Sequence, residues 1–219
     1  MIVSLFKNPT EFYAFVIHAI YAVILASSFD IARDAIISLS KITNFNDVVH
    51  TISIVLVYTI LISGWIGYTR SVSVRPHTNT RSGNIRFILD LCIVFTVFYA
   101  VNLTNESDKY KIYWTHYGDL FHYVLPALFI LYFVWDSIRY LEYKKYRNNN
   151  PDENARNLNR AGDTVNFNIL INIQAGIFVI LPIFFSIDIS LRYLLFTLFS
   201  FGIILIYRIR KWNISPFES

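Results

Sequence analysis

Two kinds of residue in this sequence have types and spacings that could do chemistry. One is ionisable groups set inside long apolar runs; the other is arginines and lysines gathered in the gaps between those runs. In the first apolar run, at 100° per residue, Glu11, Phe15, His18, Ala22, Leu25 and Phe29 fall on one face. His18 is the only ionisable group at the middle of that run, and Ala14, Ala22 and Ala26 let another backbone approach closely. A helix of this kind belongs at an interface or an axis rather than against lipid. Asp90 follows Arg86 by four residues, the spacing at which an ion pair offsets the cost of a carboxylate at a membrane edge. Asp136 and Arg139 at the end of another run read the same way, so all four are expected to be structural polar groups that lock helix ends. Arg70, Arg75 and Arg81, with Lys144, Lys145 and Arg147, read as a basic rim that attracts anionic lipid head groups or a nucleotide. Paired histidines, a Glu-Glu pair, a serine in a glycine elbow and a complete lipid-phosphatase signature do not occur. Arg75-Pro76-His77 lacks the partners that such a phosphatase needs. The expectation is therefore a protein that is not an enzyme and has no cofactor or metal centre.

The elements that must position these residues are membrane helices. The 219 residues are 55% hydrophobic and only 16% charged, with 19 Phe and 15 Tyr, and the mean hydropathy is +0.45. Six apolar segments are expected to span a membrane, over about 12–29, 51–68, 87–103, 121–140, 169–187 and 189–207. They form one domain over 1–219, an all-α, multi-pass membrane protein. Most basic residues, Arg208, Arg210 and Lys211 among them, fall in alternate gaps, which places both termini in the cytoplasm. Residues 30–50 are expected to carry an interfacial amphipathic helix or an extension of the first span. Trp65, Tyr68, Trp135, Tyr140 and Trp212 stand near span ends and read as head-group anchors. The single cysteine, Cys92, excludes an intrachain disulfide.

The layout resembles the transmembrane protein 175 family of potassium channels. The likeness rests on Ala14-Phe15 and His18-Ala19-Ile20-Tyr21-Ala22-Val23 in the first helix, and on Trp65 and Tyr68-Thr69-Arg70 closing the second. Arg86-Phe87-Ile88-Leu89-Asp90-Leu91 opening the third and the final hairpin through Pro182 complete it. The family's arginine and Phe-Ser-Asp signature is absent, the matching stretch being Phe15-Val16-Ile17-His18. The resemblance implies a homo-oligomer, a tetramer, with the first helix lining a pore for monovalent cations in a bacterial inner membrane. On that expectation Glu11 stands at the mouth, Phe15, His18 and Ala22 line the pore, and Leu25 and Phe29 supply apolar rings that close by dewetting. Gating would act through the basic loops, by a cytoplasmic protein or nucleotide, as in a toxic effector channel of antiviral (phage) defence. The rival expectation is a non-conducting membrane adaptor that recruits a cytoplasmic partner through the connection from Arg139 to Asn168.

Overall fold

The computed structural model describes residues 9–30, 33, 37, 45–74, 81–109, 114–146, 165–166, 169–170, 172–173 and 189–213. Among these the chain is all-helical, with five helices: α1 (Pro9–Ser27), α2 (Phe45–Val74), α3 (Arg81–Lys109), α4 (Trp114–Tyr146) and α5 (Ile189–Asn213). Four of them carry apolar stretches long enough to cross a bilayer, at Asp47–Thr69, Ser82–Thr104, Tyr123–Leu141 and Leu191–Ile209. The apolar stretch of α1, Glu11–Ser27, is shorter. At ~1.5 Å per residue it falls a few ångströms short of a ~30 Å hydrocarbon layer. The expected span 169–187, the interfacial segment 30–50 and the turn at Arg75 lie wholly or mostly outside the described residues.

The helices run past the boundaries that hydropathy gives. α2 begins at Phe45 rather than residue 51, and α4 continues to Tyr146 rather than 140. Polarity ends an apolar run but not a helix. Asp47 sits in the first turn of α2, where a carboxylate complements the helix dipole, and the Thr51 hydroxyl donates to its backbone carbonyl at 2.8 Å.

α3 packs most extensively against α4, and α2 against α5. α2 also meets α3, α1 lies over both α2 and α3, and α4 meets α5 only narrowly. The result is a four-helix arrangement with one weak seam. Its core is aliphatic, built from Leu56, Ile60 and Leu61 of α2, Val94 and Val97 of α3, Leu125 and Leu128 of α4 and Phe196 of α5, with Ile17 of α1. The outer surface is apolar too: Val55, Ile62, Ile88, Phe95, Ile130, Phe199 and Ile206 are all exposed. Water would penalise so continuous an apolar exterior, whereas hydrocarbon accepts it, and every helical backbone satisfies its own hydrogen bonds. The chain is therefore a multi-pass membrane protein.

The end of α1 is finished by local bonds. The Ser27 and Ser28 hydroxyls donate to the carbonyls of Ile24 and Leu25, and the Tyr58 hydroxyl of α2 donates to the Ser28 carbonyl. These take up carbonyls that a helix end leaves without intrahelical donors.

Candidate functional site

α1 has two unlike faces. Ile17, Tyr21 and Ile24, at helical spacing, are buried against α2 and α3. Glu11, Phe15, Ala22 and Phe29 are exposed, Phe15 by 55% and Phe29 by 70%. Leu25 is partly buried against the core. Four of the six residues read on one face from the sequence are thus exposed, and Leu25 turns partly into the core.

His18 is the sixth, and it sits at the border. Its Nδ1 accepts a hydrogen bond from the Trp65 indole N–H at 3.1 Å, which places its own proton on Nε2. The imidazole also meets the Tyr68 ring edge-on, with centroids 5.2 Å apart. Trp65 and Tyr68, read from sequence as head-group anchors, instead hold the histidine: Trp65 is half-buried and Tyr68 buried. A second aromatic contact, Tyr13 stacked on Phe87 at 4.4 Å, ties the start of α1 to α3.

The structural polar residues converge. Arg86 and Asp90 of α3 and Asp136 of α4 are buried, and so is Arg208 of α5. Trp135 of α4 has the Arg86 guanidinium 5.8 Å from its ring and that of Arg139 5.7 Å away, so one indole face or edge serves two cations. Tyr68 lies within electrostatic reach of both Asp90 and Arg86. The Tyr207 hydroxyl donates to Asp136 Oδ2 at 2.6 Å, and Arg208 Nη2 donates to the Tyr132 hydroxyl at 2.9 Å. The Arg208 guanidinium also lies 5.2 Å from the Tyr132 ring centroid. Asp136 therefore acts across helices, through Tyr207 of α5, while Arg139 stays on α4, where it meets Trp135 four residues earlier.

Two further readings from the sequence need correction. Arg208, grouped there with the cytoplasmic basic residues, is 4% exposed and points into the bundle. Trp135, expected at the head groups, is buried in the cluster. The room for Arg208 comes from glycine. A Cβ on Gly67 would stand 2.8 Å from Arg208 Nη1, and one on Gly64 would stand 3.2 Å from the Tyr21 hydroxyl and 3.6 Å from Arg208 Nη2. The sequence held one signal for this, an arginine still inside an apolar stretch with a Gly-x-x-Gly pair on another helix, but spacing does not reveal which way a terminal arginine turns.

The basic rim is only partly described. Arg70 lies about one turn before the end of α2 and Arg81 opens α3, Lys144 is exposed on α4, and Lys145 lies in the last turn of that helix. Arg75 and Arg147 lie outside the described residues. Among the described residues no group of His, Cys, Asp and Glu is arranged to hold a metal ion. Comparison with protein-family models, with curated proteins and with solved structures finds no match to this chain, so its own geometry carries the functional reading.

Proposed function

We propose that the chain is the subunit of a homo-oligomeric membrane pore for monovalent cations, lined by α1, in keeping with its resemblance to the transmembrane protein 175 channels. The observation that supports this reading is the division of α1 into a buried face of Ile17, Tyr21 and Ile24 and an exposed face bearing Glu11, Phe15, Ala22 and Phe29. A helix whose apolar stretch falls short of the hydrocarbon thickness suits an assembly interior better than a lipid boundary. Four copies around an axis would set Glu11 at the mouth and Phe15, Leu25 and Phe29 as apolar constrictions, with His18 fixed at their margin by Trp65. The six-span topology, cytoplasmic termini, tetrameric state and bacterial inner membrane belong to the same proposal. So does gating by a cytoplasmic protein or nucleotide at the basic rim, as a toxic effector of antiviral defence would require.

Current across a planar bilayer containing the purified full chain tests it. The wild type should pass monovalent cations, and Leu25→Ala should raise the leak several-fold by widening an apolar constriction. A bilayer that stays silent with both proteins would leave the adaptor reading instead.

A further inference from the structure

We infer that Arg208 is a two-position cation, seated inside the bundle in one position and paired with an anionic lipid phosphate in the other. The inference is independent of whether the assembly conducts.

The inward seat is built but incomplete. Arg208 is 4% exposed, its Nη2 donates to the neutral Tyr132 hydroxyl, and its Nε has no hydrogen-bond partner among the described residues. The Asp136 carboxylate accepts from Tyr207 and also attracts the Arg208 charge. A guanidinium held mainly by a phenol and ring faces is stabilised less than one clasped by a carboxylate, because a buried charge needs both pairing and full hydrogen bonding.

The outward seat lies within reach. Arg208 is the penultimate residue of the apolar stretch Leu191–Ile209, and Arg210, Lys211 and Trp212 follow it directly. A long arginine so near a helix end can extend to the head groups, where phosphate gives the bidentate, charge-assisted bonding that the inward seat lacks. Two seats of comparable free energy make a bistable element, and lipid charge biases it through its different interaction with each.

Gly67 makes the two positions separable. Only the inward guanidinium occupies the space that a Cβ on Gly67 would take, and the atom met is the far end of a flexible side chain that can swing away. Because α4 and α5 pack narrowly, the Tyr132 and Tyr207 bonds are prominent ties across that seam, and release of Arg208 loosens it.

Arginine modification by phenylglyoxal reads the position directly. The full chain is placed in nanodiscs of phosphatidylcholine, of phosphatidylcholine with phosphatidylglycerol in equal parts, or of phosphatidylcholine with inorganic phosphate in the buffer. The labelling rate at Arg208 is measured by mass spectrometry against Arg33, whose side chain is 58% exposed. With the inward seat dominant, Arg208 should react about tenfold or more slowly than Arg33 in phosphatidylcholine. Phosphatidylglycerol should raise the relative rate several-fold, and inorganic phosphate should not. Gly67→Ala should bring Arg208 to within about twofold of Arg33 in every disc. If circular dichroism shows that this variant does not fold, Tyr132→Phe takes its place, removing the inward bond without adding bulk, and should raise the rate. Equal labelling of Arg208 and Arg33 in the wild type, or continued protection in the folded variant, overturns the inward seat. A wild-type rate indifferent to phosphatidylglycerol, or equally raised by inorganic phosphate, overturns the lipid partner.

Discussion

The two ends of the helical bundle solve the same problem with different chemistry. At the end where α2 begins and α3 finishes, neutral polar side chains bond to backbone. Thr51 and Ser53 donate to carbonyls four residues earlier, and His50 Nε2 lies 2.9 Å from the Thr104 carbonyl. At the end where α2, α4 and α5 finish, the polar groups include charges and reach across helices: Tyr207 to Asp136, Arg208 to Tyr132, and Arg86 over Trp135. A local bond to backbone can be lost with little change in helix position. A bond between side chains on separate helices fixes their register, and loss of one charged member strands the others in a medium that cannot solvate them. The first end is tolerant, whereas the second ties the register of its helices to the positions of a few charges.

The largest expected contrast is all-or-none. In a Cys92→Ser background, a cysteine replacing Ser73 near the charged end should be shielded from an impermeant thiol reagent in intact cells, whereas one replacing Ser107 near the neutral end should label. Labelling at position 73 alone would invert the orientation.

Asp136→Ala should cost about 3–5 kcal/mol, because it removes a buried carboxylate that accepts from Tyr207 and attracts the buried Arg208. The unfolding midpoint in mixed lipid and detergent micelles reads this, and an unchanged midpoint would show that the acid is not part of the seam. Tyr207→Phe keeps the ring and deletes only the donor to Asp136, so its expected cost is smaller, about 1.5–3 kcal/mol on the same scale. Ser53→Ala at the neutral end should cost about 1 kcal/mol or less, since the Val49 carbonyl that it leaves is already inside a helix. If Ser53→Ala proved as costly as Tyr207→Phe, the contrast between the ends would collapse.

The apolar stretches were legible because hydropathy depends only on which residues are present, and α2 to α5 each carry enough of them. The four charges Arg86, Asp90, Asp136 and Arg139 were legible one by one, since a charge inside an apolar run stands out. Their convergence was not, because it depends on which helices become neighbours. Arg208 illustrates the gap: beside Arg210 and Lys211 it reads as one more residue of a basic tail, and only a bundle with Gly64 and Gly67 opposite gives it an inward place. His18 shows a milder version. Periodicity put it on the face of Glu11 and Ala22, yet that face is broad enough for Trp65 to reach its edge. The length of each helix was underestimated for a simple reason: interfacial residues such as Asp47 favour a helix start while ending an apolar run.

Arg208 also carries a consequence for how the chain is made. Translation delivers Arg86, Asp90, Asp136 and Arg139 to the membrane before α5 exists, so the nascent bundle holds its acids and tyrosines open until the last described helix arrives. The last described helix is thus the one that closes the seam, and a chain stalled before it lacks the Tyr207 donor to the buried Asp136 carboxylate. An unfinished molecule therefore differs from a finished one in the polarity that it leaves within the bilayer.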